Sequence, residues 1–510
     1  MGRKEVVAIV GIWVIPISLL VNRIVPDPYM DEIFHIPQAQ QYCNGNFRSW
    51  DPMITTPPGL YYLSLAYIAA LFPGMFFVQA VPSFAAVCST EVLRSTNCIL
   101  AVLCSILAYE IMIHLRPALD DRKATLYAVV LALYPLHWFF SFLYYTDVAS
   151  LTVVLAMYLA CLKKKYMFSA LLGASAVVIR QTNIVWVLFV ACSGIIEVTL
   201  PHQTDGVKAD DLNASVKSTD QISHSSSVNQ RLTLRKRKSS GNVDADKYFI
   251  SRTSASLTTP MSGLLPEIRA IILTSWHKKW ELLVSFSPFF FVFLAFVGFI
   301  LWNGSIVLGA KEAHTVSPHF AQVMYFSLVS ALFMLPLLFT TSQPLDLFRS
   351  FWKKKLLSFF LGFLAFSAAF LSVHFFSIAH PYLLADNRHY TFYLWRKIIK
   401  AHWSMKYLLV PLYVYSWFSI IHRLGKYQRK IWILIYVLAT TAVLVPAPLI
   451  EFRYYTIPFF FLMLHSHVDS YLCFLLLGIL YTVVNVFTMC MFLYRPFHWN
   501  HEPGVQRFVW

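Results

Sequence analysis

The chain has 510 residues, 58% of them hydrophobic and 16% aromatic, with a mean hydropathy of +0.59; a composition this apolar takes lipid as its main solvent and excludes an ordinary soluble domain. The net charge of +16 would suit nucleic acid in a soluble protein. Here the Lys and Arg residues stand mostly in short stretches between apolar segments, where they report membrane orientation, and no nucleic-acid partner is expected.

Met1-Gly2-Arg3-Lys4 opens onto the first apolar run. No small-residue cleavage site follows, and Asn22-Arg23-Ile24-Val25-Pro26 is a poor one, so the run is expected to remain as an uncleaved anchor. Apolar runs predict spans near 6–25, 94–115, 124–140, 146–162, 167–180, 183–200, 284–302, 319–340, 355–378, 405–422, 431–448, 454–468 and 470–493. A crossing helix needs roughly 20 apolar residues. The run at 59–80 has a core, Gly59 to Phe72, that is short before Pro73-Gly74 and suits an interfacial helix. If it stays out of the bilayer and the N-terminus is cytosolic, then Arg116 to Lys123, Lys163-Lys164-Lys165, Arg235-Lys236-Arg237-Lys238, Lys353-Lys354-Lys355 and Arg423 to Lys430 all face the cytosol. If it crosses, most of them fall on the wrong side. The charges therefore favour an all-α polytopic membrane protein with about 13 transmembrane helices and a long first non-cytosolic loop.

Three regions follow: an N-terminal transmembrane module at 1–200 carrying the loop 26–93, a cytosolic loop at 201–282, and a C-terminal transmembrane module at 283–510 with further non-cytosolic loops. Residues 201–260 are rich in Ser, Thr, Asp and Lys, bury little apolar surface, and are expected to be mostly disordered. Ser239-Ser240 is a phosphorylation or partner site, or else part of a solvating tether. Cys43 and Cys88 share the first loop, where an oxidising compartment allows a disulfide. The other cysteines sit in spans as small apolar residues.

Directly after the first span comes Asp31-Glu32. A carboxylate at a bilayer surface can take a proton from a hydrophilic acceptor while a lipid-borne donor lies alongside; the bland alternative is a solvated loop acid. Two ordered blocks carry more information. Asp31-Glu32-Ile33-Phe34-His35-Ile36-Pro37-Gln38-Ala39-Gln40-Gln41-Tyr42-Cys43 and Trp50-Asp51-Pro52-Met53-Ile54-Thr55-Thr56-Pro57-Pro58-Gly59-Leu60-Tyr61 closely resemble the dolichyl-phosphoglucose-dependent alpha-1,2-glucosyltransferase family of the endoplasmic reticulum. Tyr144 to Asp147, Ile179 to Trp186, Trp302 to Gly309, His380 to Thr391 and Glu451 to Tyr455 extend the resemblance, and only 201–260 lies outside it.

The resemblance implies a GT-C glycosyltransferase, a multi-pass enzyme of the endoplasmic reticulum membrane with a lumenal site. Its donor is dolichyl phosphate glucose and its acceptor a dolichyl-linked oligosaccharide lacking the last glucose. It implies Asp31 as catalytic base, with Glu32 as the weaker candidate. Beta-linked donor to alpha-linked product is inversion, for which one carboxylate suffices when phosphate leaves. A departing phosphate needs positive charge. Arg180 is the leading candidate, since an Arg in apolar sequence is expensive; snorkelling or pairing with Asp147 is the alternative. Asp147 and Asn183 flank it among the candidate substrate-binding residues. His380, Arg388 and His389, beside Asp386 and Asn387, suit phosphate or sugar hydroxyls, or form a structural loop. Glu451 and Arg453 read more readily as an ion pair than as ligands. His35 stands one helical turn after Asp31 and could orient it or help to bind a metal.

No cofactor is implied. No metal is expected either, because an Asp-x-Asp ligand set is lacking. Trp50, Tyr61, Tyr62, Tyr390, Tyr393 and Trp395 are sugar platforms or, by default, interfacial belt residues. A transporter should show paired repeats with broken helices, and none is found. An ion-channel partner is a further role attributed to members of the family.

Overall fold

In lipid a backbone amide has no water to bond, so each apolar run must satisfy its own peptide groups, and it does so as a helix. The computed structural model describes residues 2–71, 87–200, 263–312, 315–338, 342–353, 355–468, 470–500 and 504–510. Gly2–Ile24, Thr90–Leu115, Gln181–Thr199, Lys279–Asn303, Lys355–Phe375 and Tyr471–Tyr494 are long and apolar enough to cross a membrane. Shorter apolar helices include Thr146–Leu162, Tyr166–Ile179, Ala321–Phe333 and Lys430–Leu444. The loop at 201–260, with Ser239-Ser240, lies outside the described residues.

Met1–Ile195 and Lys278–Trp510 pack as one unit. Ile196–His277 is a second unit, whose described part includes the helix Leu264–His277.

Three expected continuous spans are broken, each at a proline. The run at 124–140 becomes Asp121–Ala132 and Pro135–Phe140. That at 319–340 becomes Ala321–Phe333 and Leu335–Leu338, around Pro336. That at 405–422 becomes Met405–Leu408 and Val410–Gly425, with Pro411 in the first turn of the second. Proline lacks the N–H of the helical ladder and disfavours helical geometry in the residue before it. The first break is packed and satisfied: Tyr134 stacks on Phe459 with ring centres 4.0 Å apart, and the Leu133 carbonyl accepts from Asn485 Nδ2 at 2.8 Å.

The first loop has its own small core. Glu32–Cys43 and the 13-residue helix Gly59–Leu71 bury Ile36, Tyr42, Leu60 and Tyr61 against Tyr144 and Ile179. The rest of the 59–80 run, from 72 on, lies outside the described residues. A disulfide joins Cys43 to Cys88 across a Cα–Cα distance of 6.6 Å. Gly59 permits the close approach to the helix Tyr166–Ile179: a Cβ there would stand 2.6 Å from the Val178 carbonyl oxygen,. Residues 304–310 dock on the same loop, with Leu308 N donating to Thr55 O at 3.1 Å and Ala310 N to Pro52 O at 3.0 Å.

Contacts sort the chain reversals into two ends. At one, Arg3 pairs with Glu110, Lys163 Nζ lies 3.3 Å from the same carboxylate, and Arg116 Nη2 donates to Ser466 O at 2.8 Å. At the other stand Asp31, Asp147, Arg180 and Arg453. The final segment belongs to this second end. Phe497–His498 pairs antiparallel with Val505–Gln506, His389 and Val509 form a parallel bridge, and Tyr29 Oη donates to Arg507 O at 2.8 Å. Nothing in the hydropathy pattern announced this strand pair.

Candidate functional site

Asp31 and Glu32 are neighbours with opposite fates. Glu32 is fully enclosed, paired with Arg94 Nη2 at 2.6 Å, and takes further bonds from Tyr29 N at 3.1 Å and Tyr144 N at 2.6 Å. It has no face left for a substrate, which corrects its candidacy as a base. The Asp31 side chain is 38% exposed, and its Oδ2 lies 2.6 Å from Arg453 Nη1. Its backbone N–H donates to Tyr145 Oη at 3.3 Å.

Around Asp31 the structure gathers residues far apart in sequence. Arg453 also pairs with Glu451 and has Asp147 Oδ2 3.9 Å away. Asp147 in turn holds Arg180 Nη1 at 2.5 Å. The Arg180 guanidinium lies over Tyr454, 5.5 Å from the ring centre, and that of Arg453 over Tyr145 at 5.6 Å. Three carboxylates thus share two guanidinium groups, and of the five Asp31 is the most open. The alternative in which Arg180 pairs with Asp147 is the one realised, as is the ion pair between Glu451 and Arg453.

Burial would push the Asp31 carboxyl up, but the charge and hydrogen bond of Arg453 outweigh it and hold the group below the usual carboxylate range,. Asp31 is therefore ionised at neutral pH. Burial pushes the His35 imidazole down to about 4. Its Nδ1 pairs with Tyr61 Oη at 2.7 Å, so it does not orient Asp31 by that atom. Tyr61, 1% exposed, is a core residue and no sugar platform. The His35 imidazole should accordingly contribute no acid limb near 6.5 to a pH profile of kcat/KM, and protonation of Asp31 should cost rate only below the usual carboxylate range. A limb between pH 6 and 7 that vanished in His35→Gln would contradict this assignment.

A second polar group stands beside the first. Asp386 accepts from Arg388 Nη2 at 2.8 Å and lies 3.8 Å from His389 Nε2. Arg388 Nη1 donates to Gln506 Oε1 at 3.0 Å and its guanidinium covers Trp499, while Asn387 Oδ1 accepts from Trp499 Nε1 at 2.8 Å. Burial opposes ionisation of Asp386, yet Arg388 prevails and lowers its pKa. The tail links the two groups: Val509 N donates to Arg388 O at 2.9 Å, and Tyr29 Oη, two residues before Asp31, donates to Arg507 O at 2.8 Å. Two candidates sit elsewhere in the architecture. Asn183 is buried, bonded to Ser150 Oγ and donating to Ala176 O at 2.8 Å, and so ties helices together. His380 caps Pro381–Ala385, its Nδ1 accepting from Tyr382 N at 3.2 Å.

Sequence reasoning missed Arg94, Tyr145 and the docked residues Arg507 to Trp510. Arg94 carried a usable signal, an Arg at the edge of an apolar run. The tail carried none.

This arrangement defines a polytopic α-helical membrane protein with an ionised carboxylate opening at one end of its helices. The chain belongs to the DIE2/ALG10 family, whose model matches residues 25–464. It is 61% identical over 513 residues, covering 100% of both chains, to an Arabidopsis thaliana protein named Dol-P-Glc:Glc(2)Man(9)GlcNAc(2)-PP-Dol alpha-1,2-glucosyltransferase. A Homo sapiens protein of that name is 33% identical, over 96% of this chain and 94% of its own. The Drosophila melanogaster protein of that name is 29% identical over 100% of both. No solved structure matches.

Proposed function

We infer that this chain is a GT-C glycosyltransferase of the endoplasmic reticulum membrane. It moves glucose from dolichyl phosphate glucose to the terminal glucose of the diglucosylated dolichyl-diphosphate oligosaccharide, making the final alpha-1,2 linkage by inversion for protein N-glycosylation. The observation that carries the reading is the full-length likeness to the Arabidopsis protein, whose name states donor and acceptor.

The site supplies a chemistry that agrees. The acceptor hydroxyl gives its proton to Asp31 as its oxygen attacks the anomeric carbon, and the bond from that carbon to the phosphate oxygen breaks with its electron pair leaving on dolichyl phosphate. A base with a lowered pKa is weak, so the proton moves late, once the forming bond has acidified the hydroxyl. Its arrival neutralises the partner of Arg453. With one of its carboxylate partners neutralised and Glu451 retained, the guanidinium bears more of its charge on the phosphate, with Arg180 and Arg388 as further cations at this end,. The purified protein with radiolabelled dolichyl phosphate glucose and the diglucosylated acceptor should give a product one hexose longer. No product, or transfer only from a nucleotide sugar, would reject the reading.

The proposed topology has about 13 crossings, with Asp31 in the lumen and 201–260 in the cytosol. The two sets of end contacts support it, since Arg3, Glu110 and Lys163 meet at the end opposite Asp31. In sealed microsomes added protease should cut the 201–260 loop, and the sequon at Asn213 should stay unglycosylated. Asn303 should stay bare as well, its Nδ2 being engaged by the carbonyls of Ser305 at 2.9 Å and Val307 at 2.8 Å. Protection of the 201–260 loop would restore 59–80 as a crossing.

A further inference from the structure

We propose that Glu32 and Arg94 are positioning residues for the transfer reaction, an enclosed ion pair that fixes the chain on both sides of Asp31 and so aims its carboxylate. The proposal rests on the reading of Asp31 as base. Both side chains have 0% exposure. Arg94 donates through Nη2 to Glu32 Oε2 at 2.6 Å and through Nε to Oε1 at 2.9 Å, a two-pronged pairing that fixes orientation as well as distance,.

The remaining Arg94 donors all go to the approach to Asp31: Nη1 to Val25 O at 2.6 Å and Asn22 Oδ1 at 3.1 Å, Nη2 to Asp27 O at 3.0 Å. Glu32 holds the other side. It accepts from Tyr29 N at 3.1 Å and from Tyr144 N at 2.6 Å, and Tyr145, the next residue, places its hydroxyl 3.3 Å from the Asp31 N–H. One buried pair thereby joins the end of the first helix, the 25–32 turn, the start of Thr90–Leu115 and the Tyr144-Tyr145 segment.

The turn needs such a clamp. Met30 has φ of 57°, a left-handed conformation that a non-glycine residue adopts at a cost and keeps only when its surroundings over-determine it,. Asp31 is itself helical, so the two adjacent side chains leave the chain about 100° apart, Glu32 into the interior and Asp31 toward Arg453 and solvent,. A buried ion pair is a poor device for stability alone, because desolvation offsets its attraction. These bonds converge instead on the chain leading into Asp31 and on the Tyr144-Tyr145 segment beside it. A displacement of about 1 Å at a reacting group can lower the rate about 100-fold.

The test uses the purified full chain carrying Glu32→Gln or Arg94→Lys, assayed beside Asp31→Asn. The Gln variant keeps shape and loses charge; the Lys variant keeps charge and loses the fork, and it serves alone should Glu32→Gln fail to accumulate. The expected result is a kcat lowered about 10- to 100-fold with the donor KM within about twofold. Adding Glu32→Gln to Asp31→Asn should lower the residual rate no further, since the pair acts only through that carboxylate. Wild-type kcat in a folded variant, while Asp31→Asn is inactive, would overturn the proposal. So would a further loss in the double variant, which marks a general structural role. Wild-type transfer by Asp31→Asn would instead overturn the reading of the base.

Discussion

Replacing Asp31 by Asn should lower glucosyl transfer by about 10²- to 10⁴-fold or more while leaving the amount of folded protein unchanged. The large effect follows from the single-displacement chemistry. One group must take the acceptor proton, and the amide of Asn has no basic lone pair for it. The small structural effect follows from the surroundings. Asn matches Asp in shape, the side chain is 38% exposed, and Arg453 keeps Glu451 as a partner when the charge at 31 is removed. The measurement is initial rate with purified protein and radiolabelled dolichyl phosphate glucose, normalised to the protein recovered from the membrane. Near-normal rate in this variant, with Glu32→Gln inactive, would return the base to Glu32. The closed shell of donors around Glu32 argues against that outcome.

The sequence could be read this far because two of its signals are local. Hydropathy marks a helix wherever peptide groups must bond internally, and the runs ending in Leu115, Leu162 and Tyr494 appear at or near their expected positions. The Asp31-Glu32 pair, its place after a span and the ordered blocks around it are also visible in one dimension. What was not legible is how one acid differs from its neighbour. That difference depends on Arg94, 62 residues on, and Arg453, 422 residues on, and hence on which helices meet. Proline positions were visible, but hydropathy averages over them, so the breaks before Pro135 and around Pro336 disappeared into single expected spans. The described tail residues, 497–500 and 504–510, are few, mixed in polarity and held by contacts with 387–389; no period in the sequence could have placed them.

Cells without this protein should accumulate a lipid-linked oligosaccharide one glucose short of complete, bearing two terminal glucoses, and their proteins should be under-glycosylated rather than unglycosylated. The first half follows from the reaction. If the chain adds the last sugar, its substrate is what remains when it is absent, and no later step exists to hide the gap. The second half is a matter of differential binding. The oligosaccharyltransferase chooses among donors by affinity, and the polar contacts of one missing sugar are worth about 1–3 kcal/mol, or about 5- to 150-fold in preference. A penalty of that size slows transfer without abolishing it, and sites that react poorly are left empty first. Re-expressing the wild-type chain should restore the complete oligosaccharide, and the Asp31→Asn chain should not, which ties the cellular defect to one carboxylate. The check is chromatographic sizing of oligosaccharides released from dolichol, alongside occupancy of a reporter glycoprotein. A complete oligosaccharide in the null cells would sink the transferase reading and leave the ion-channel partner role as the better account of the chain.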